Sequence, residues 1–373
     1  MDLVVLGFMM RSVSASIFII VSLLIAIGVV MIYSASAMHG YEKMQDSLYF
    51  IKRHIVYVVL GYISMFAIMA MNISLLKTFS KWMIAFSGIL LLAVLIPGLG
   101  REISGARRWF SFGPITFQPS ELAKIAIIIY IADIAARREA IIRSFLYGYL
   151  PGLLVTGAFV GLVLLEPDLG TAIDIAAISF LVLFVSGARV SHISCTILAG
   201  LPALYFLLFS VPYRRKRLLI FLNPWADRKG AGFQIIQSLI ALGSGGLIGV
   251  GLGQSKQKLF YLPEAYTDFI FAIIGEELGF LGILAVIILF ALFVWQGMRV
   301  CLYSQDAFGR ALSFGVVTMI TLEAIINIGV VSGILPTKGL PLPFVSYGGT
   351  SLVFHMMAVG LLLNVAKRCE VAR

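Results

Sequence analysis

Charge is what this sequence has least of. Asp, Glu, Lys and Arg make up 12% of its 373 residues, about half of the roughly 25% that coats a soluble domain. A water-facing surface cannot be built from that supply. With 60% hydrophobic residues and a mean hydropathy of +1.02, the solvent is lipid. The same composition excludes disordered, collagenous and coiled-coil chains. Cysteine is scarce as well. Cys195, Cys301 and Cys369 are scattered, so neither a disulfide framework nor a CxxC metal site is available. The four histidines are equally dispersed. No GxxxxGK[ST] nucleotide loop occurs. The first apolar run is too long for a signal peptide, and no small-residue cleavage site follows it.

What the chain does have is apolar runs of the length a bilayer needs, about 20 residues per helix. Ten are read, over 15–36, 54–71, 79–97, 120–136, 148–165, 170–187, 192–211, 269–296, 309–335 and 345–365. The expected fold is an all-α polytopic membrane protein, one transmembrane domain over 1–373. The stretch from Asp2 to Met10 is too short to span and reads as an interfacial segment. Ten spans put both termini on one side. With the termini inside, the cytoplasmic segments hold 12 Lys and Arg against 15 outside, but eight of the outer ones fall in one long loop, 212–268, between the seventh and eighth spans. Long loops are weak topology signals, and without this one the outer count is 7. The termini are therefore assigned to the cytoplasm and the loop to the outside.

The net charge of +10 would suggest nucleic acid in a soluble protein. Here it concentrates in an outer loop with eight cations and three acids, Asp227, Glu264 and Asp268. Two readings stand: a solvated loop touching anionic headgroups, or a site for a phosphorylated, lipid-linked substrate. Within the loop, Ala231–Leu242 has apolar residues at helical spacing and reads as an amphipathic or re-entrant helix. Gly243–Gly253 holds six glycines, and irregular backbone at membrane depth survives only against protein or a water-filled cavity.

A charge at the bilayer centre costs about 2.5–3.5 kcal/mol on insertion scales, so each one needs a reason. Glu121 and Lys124 stand three apart near the start of the fourth span, on one helix face, as a structural or functional ion pair. Asp268 precedes the apolar run Phe269–Ile274 and is open to two readings, a helix N-cap or a catalytic acid. Glu276 and Glu277 follow two turns deeper. Of the two, only Glu276 lies near the Asp268 side, and both are expected to pair with a basic group on another span. Pro336 to Pro343 forms a stiff loop with three prolines. Ser346–Ser351 enters the last span with small residues that allow close helix contact.

These segments resemble the SEDS family (shape, elongation, division and sporulation) of bacterial peptidoglycan polymerases. The resemblance rests on Ser104-Gly-Ala-Arg-Arg-Trp109, Phe117-Gln-Pro-Ser-Glu-Leu-Ala-Lys124, Glu166-Pro-Asp-Leu-Gly-Thr171, Asn223-Pro-Trp-Ala-Asp227, Gly253-Gln-Ser-Lys-Gln-Lys258, Tyr261 to Gly279, and Leu335-Pro-Thr-Lys-Gly-Leu to Phe344-Val-Ser-Tyr-Gly-Gly349. Asn223–Asp227, Gln257-Lys258 and the Leu335–Leu340 loop look more like the division branch than the elongation branch. Tyr266 stands where the family commonly has histidine.

The resemblance implies glycosyl transfer on lipid II, a disaccharide-peptide on undecaprenyl pyrophosphate. It makes Asp268 the essential acid and Glu121 with Lys124 the paired acid and lysine. Asp268 is then expected to be the general base, with Arg101, Arg107, Arg108, Lys124, Arg214, Arg215 and Lys338 as candidates to hold the pyrophosphate, and Glu276 and Glu277 as supporting acids. A divalent cation, Mg²⁺ or Mn²⁺, is expected to bridge Asp268 and pyrophosphate. The implied partner is a class B penicillin-binding protein, alongside other division or elongation machinery, at the bacterial cytoplasmic membrane and at the septum for the division branch. A lipid II flippase, with Lys124 and Asp174 lining its path, and a scaffold that recruits a transpeptidase are the competing readings.

Overall fold

The structure, a computed structural model, describes residues 3–371 apart from Ser104, Pro114, Ala231 and Phe260. Asp2, Ser104, Ala231 and Arg373, which entered the sequence reading, lie outside the described residues. Twelve α-helices and a three-stranded sheet make up the fold. Ten helices coincide with the ten apolar runs: α1 (Leu3–Met44), α2 (Tyr49–Ala70), α3 (Ile73–Leu95), α4 (Pro119–Arg137), α5 (Leu150–Leu165), α6 (Leu169–Val185), α7 (Val190–Phe209), α10 (Ile270–Tyr303), α11 (Ala307–Val331) and α12 (Thr350–Val371). Two short ones, α8 (Pro212–Leu222) and α9 (Phe233–Ser244), lie in the long loop. Eight of the ten are long and apolar enough to cross a membrane. The exceptions are α4, which carries Glu121, Lys124, Asp133 and Arg137, and α6, with 17 residues. Of these, α4 is covered by α3, α6 and α11, so its sequence need not satisfy lipid, while α6 is short but keeps an exposed apolar face at Ile173, Leu181 and Phe184.

Three features depart from the expectation. Residues 3–10 are not a separate interfacial element but the start of α1, whose 42 residues run about 63 Å, well beyond a hydrocarbon core of roughly 30 Å. The link between α3 and α4 is an antiparallel meander, β1 (Gly100–Ile103), β2 (Ala106–Phe112) and β3 (Ile115–Phe117). Its alternation is too short to register beside the long apolar runs. The segment after α7 is helical: Pro212 starts α8 at its first turn, where a missing N–H costs nothing.

The connections sort into two ends. At one end Arg108 Nε donates to Glu166 O (3.0 Å), Arg217 Nη1 to Thr337 O (3.3 Å) and the Tyr347 amide to Tyr266 O (3.0 Å). At the other, Lys77 pairs with Asp306 (2.9 Å), Arg310 with Glu139 (3.2 Å), and Asn364 Nδ2 donates to Met71 O (2.6 Å). The β-meander, α8, α9 and the Pro336–Pro343 loop all sit at the first end.

The glycine-rich segment is held by α10. At Gly279 this helix breaks (φ 67°, ψ −163°). The freed backbone groups pair with the segment: Val250 and Gly251 amides donate to Glu276 O (2.9 Å) and Glu277 O (3.1 Å), and Phe280 and Leu281 amides donate to Gly246 O (2.9 Å) and Leu247 O (3.1 Å). Any Cβ on Gly279 would overlap the Gly249 nitrogen and Leu247 oxygen. Gly279→Ala is therefore expected to destabilise the fold by at least about 1–3 kcal/mol, the cost of a side chain in this backbone region. An unfolding titration in detergent with an unchanged midpoint would refute this.

Candidate functional site

A buried ionic centre lies between α4, α11 and α12. Pro119 and Ser120 open α4, placing Glu121 in its first turn, where the helix dipole favours an acid. One turn on, Lys124 Nζ meets Glu121 Oε1 at 2.9 Å and also bonds Glu323 of α11. Glu323 Oε2 is hydrogen-bonded to His355 Nε2 of α12 (2.5 Å), whose Nδ1 meets Ser351 Oγ (3.3 Å). All are buried. Glu323 is visible in the sequence as an ionisable residue within a span, but its pairing with Lys124 and His355 is not, since these partners are 199 and 32 positions away. Asp174 of α6 is also fully buried near this centre, and neither of its oxygens has a hydrogen-bond partner.

Among the described residues, Glu121, Glu323 and His355 are the one group of three or more whose ligand atoms converge closely enough for a metal ion. The donor set does not fit one, because the Lys124 ammonium already sits against both carboxylates and neutralises them.

Asp268 lies elsewhere, at the loop end of α10. The helix starts two residues later, at Ile270, with Phe269 at its N-cap, and the Asp268 side chain bonds no described amide, so capping is not the role of this carboxylate. The backbone around it is tightly fixed. Asn327 Nδ2 of α11 bridges Asp268 O (2.8 Å) and Leu340 O (2.7 Å), and Glu264 O accepts the amides of Thr267 and Phe269, each at 3.2 Å. The side chain is left half-buried. Its Oδ2 lies 3.1 Å from where a Cβ on Gly339 would be, so the loop passes close by. Burial, then the neighbouring Glu264, push its pKa up to about 7, against a smaller opposing pull from Arg217.

The candidate cations divide. Arg217, not among those singled out, faces Asp268, stacks 4.5 Å from the Tyr213 ring and donates to Thr337 O. Lys338 lays its alkyl chain over Gly170, and burial lowers its pKa despite Asp174 and Asp168. Arg108 is committed to the α5–α6 turn, donating to Glu166 O and Pro167 O (2.7 Å) and lying 3.5 Å from Asp168. Arg107 pairs with Glu102 (3.2 Å), Arg214 donates to Leu207 O (3.1 Å), and Arg101 is exposed on β1. Arg215 lines an open apolar cavity of about 400 Å³ with Phe209, Pro212, Leu219 and Ile220. Lys124 is one turn into α4, buried in the ionic centre, and is close enough to Lys338 to act on it electrostatically. Tyr266 packs among His39, Phe50 and Tyr347 with ring centroids 4.8–5.9 Å apart, which gives its large ring a place that composition alone could not supply.

Among the described residues, neither Glu276 nor Glu277 pairs with a basic group on another span, although Glu277 accepts from Ser34 Oγ of α1. Both turn to residues 255–258, which fold back from the glycine-rich segment. The expected partner on a transmembrane helix is replaced by Lys258, because the loop itself reaches the depth of these acids.

A polytopic helical membrane protein with charged loops and acids free of hydrogen bonds gathered at one end is the class these features define. The family model described as cell cycle protein, FtsW/RodA/SpoVE, matches residues 14–370. The chain belongs to that family. It is 45% identical over 343 residues to the probable peptidoglycan glycosyltransferase FtsW of Geobacter metallireducens, covering 92% of each chain. It is 45% identical over 350 residues to the stage V sporulation protein E of Bacillus subtilis, covering 94% and 95%. Among solved structures it is similar to a chain from work on the structural coordination of polymerization and crosslinking by a peptidoglycan synthase complex (32% identity, TM-score 0.76, 95% and 97% covered). It is also similar to the rod shape determining protein RodA of Thermus thermophilus (29%, TM-score 0.71, 94% and 95% covered).

The ionic centre generates a stability prediction. Lys124→Met would leave two buried carboxylates without their cation, a loss of about 3–5 kcal/mol. Adding Glu323→Gln should recover part of it. Unfolding titrations in detergent measure both, and a Lys124→Met midpoint equal to wild type would sink the assignment.

Proposed function

We propose that this chain is a peptidoglycan glycosyltransferase that polymerises lipid II at the outer face of the cytoplasmic membrane, in the division branch of its family. The topology in this reading has ten crossings, both termini in the cytoplasm, and residues 212–268 outside as part of a single domain. The observation that carries the chemistry is the Asp268 carboxylate, half-buried at the loop end and taking no hydrogen bond from a described residue. Its backbone is fixed by Asn327 while its oxygens remain available.

In the reaction a sugar hydroxyl attacks the anomeric carbon of a second lipid-linked sugar. The new C–O bond forms as the bond to the lipid diphosphate breaks, and the hydroxyl proton passes to Asp268 Oδ. Partial burial makes this carboxylate a stronger proton acceptor than an exposed one. The diphosphate leaves with added negative charge, which cations positioned beforehand stabilise. Arg217 faces Asp268 and Lys338 lies on the adjoining loop, so these two are the nearest candidates. Arg101 and Arg215 are exposed or cavity-lining cations further along the same end. Arg107, Arg108 and Arg214 act through the loops they hold. Lys124 keeps α4 and α11 together beneath the site.

Asp268, with Glu264 close enough to raise its proton affinity, offers the one or two carboxylates with which Mg²⁺ or Mn²⁺ is held alongside substrate phosphate. The residues fit such an ion, which would add positive charge beside the diphosphate. The transport reading needs intramembrane charges free along a path; Lys124 is instead held by two acids. A class B penicillin-binding protein is the expected partner, supplying cross-linking activity, with septal machinery around it.

Two measurements test this reading. Asp268→Asn should reduce lipid II polymerisation by about 100-fold or more, with the partner added to both samples; wild-type activity in the variant would remove the base. A base works only when unprotonated, so activity should rise with pH through about 7, the value to which burial lifts Asp268. A rise centred near 4, where an ordinary aspartate titrates, would contradict the burial argument.

A further inference from the structure

Glu276 and Glu277 are adjacent, buried, and point about 100° apart around α10, yet both reach the same four residues. Glu276 accepts from Ser255 Oγ and from the amides of Lys256 (3.0 Å) and Gln257 (3.4 Å). Glu277 accepts from the Ser255 amide (3.3 Å), from Lys258 Nζ (2.8 Å) and from Ser34 Oγ of α1 (2.7 Å). Lys258 Nζ also meets Ser34 Oγ at 3.0 Å. Three consecutive backbone amides, one ammonium and two hydroxyls thus converge on two carboxylates. Ser255, Gln257, Lys258, Glu276 and Glu277 are all buried.

This arrangement joins residues 255–258 to 276–277 and closes the chain between them into a loop that contains Asp268. A line of backbone bonds runs from the junction to that acid. Gln257 O accepts the Leu262 amide (2.9 Å), Leu262 and Ala265 are buried, and Glu264 O accepts the amides on both sides of Asp268. On the other side, α10 carries the junction rigidly to Phe269.

We propose that Lys258, Glu276 and Glu277 form a clasp that positions Asp268, setting its reach toward the sugar hydroxyl through the closed loop 259–275. This rests on the transferase reading for its catalytic consequence, but the clasp itself is a statement about the loop. The two acids are positioning residues: they lie deeper along α10 than Asp268 and their oxygens are filled by the clasp. A loop without it would keep its hydrophobic anchors Leu262 and Ala265 yet lose the fixed end from which the Leu262 amide is held. Misplacement of a reacting group by about 1 Å is enough to cost up to about 100-fold in rate.

The test uses the full chain in lipid vesicles, with the partner where polymerisation requires it, and four proteins: wild type, Lys258→Met, Lys258→Arg and Ser255→Ala. Hydrogen–deuterium exchange over 259–269 and the rate of lipid II polymerisation are read on each. Lys258→Met should exchange faster over 259–269 while α11 and α12 are unchanged, and its kcat should fall about 10- to 100-fold with KM within about threefold, as expected for a group misplaced rather than a binding contact removed. Lys258→Arg should retain exchange and rate close to wild type. Ser255→Ala should shift both in the same direction by less, and it decides the matter if Lys258→Met fails to fold. Unchanged exchange over 259–269, or a lost rate expressed wholly in KM, overturns the clasp. If wild type makes no polymer, the transferase reading falls instead, and the exchange result alone judges the clasp.

Discussion

The fold depends on one constraint: a polar group at membrane depth must find its partner inside the protein, because lipid offers none. The chain meets it in three places by the same means. Lys124 is shared between Glu121 and Glu323. Lys258 is shared between Glu277 and Ser34. Asp133 accepts from Ser80 (2.6 Å) and pairs with Arg137 (2.7 Å) at the opposite end. Each joins elements distant in sequence, so the cost of burying charge also selects one packing. The backbone follows the same rule. Where α10 gives up its own hydrogen bonds at Gly279, the glycine-rich segment supplies replacements, and glycine is needed on both sides because the two backbones touch.

Satisfied depth is what permits an unsatisfied mouth. The loops around Asp268 are irregular, and irregular loops ordinarily move. Here each is tied to a helix: the Pro336–Pro343 loop through Asn327 and Arg217, the 166–168 turn through Arg108, and residues 255–258 through Glu276 and Glu277. Arg108, one of the cations expected to hold the pyrophosphate, is one of these ties. An arginine that donates to two backbone carbonyls, as Arg108 does, holds a wall in place and has less left to offer an anion.

The helices were legible in the sequence because a bilayer imposes a length and a hydropathy that few other structures share. All ten apolar runs coincide with helices, including α4 with its charges. Asp268 drew notice because it stands at the head of an apolar run inside a motif. What could not be read was pairing across the chain. Glu323 and His355 are single polar residues on long helices, and only the fold brings them to Lys124. Glu276 and Glu277 were visible, but their partner was sought on a helix, since nothing in Gly243–Gly253 reveals that the segment descends to meet them. The meander at 100–117 was missed because three- to seven-residue strands carry too short an alternation. Arg217 lay unremarked among four consecutive cations, and which of them faces Asp268 is decided by the start of α8 at Pro212.

In the proposed transferase, depth also explains why the proton acceptor belongs at the mouth. Glu121 and Glu323, buried at depth, are both paired with Lys124, and a paired carboxylate has its lone pairs occupied and its charge neutralised, so it accepts a further proton poorly. A fully exposed acid would be a weak base near neutral pH. Asp268 lies between these limits. Its burial, with Glu264 nearby, raises its proton affinity, yet the bond-free carboxylate can still give the proton up to water once the glycolipid has left. That compromise needs a carboxylate held at one height against the bilayer, and height is set from below, by α10 and the residues bound to its two buried acids.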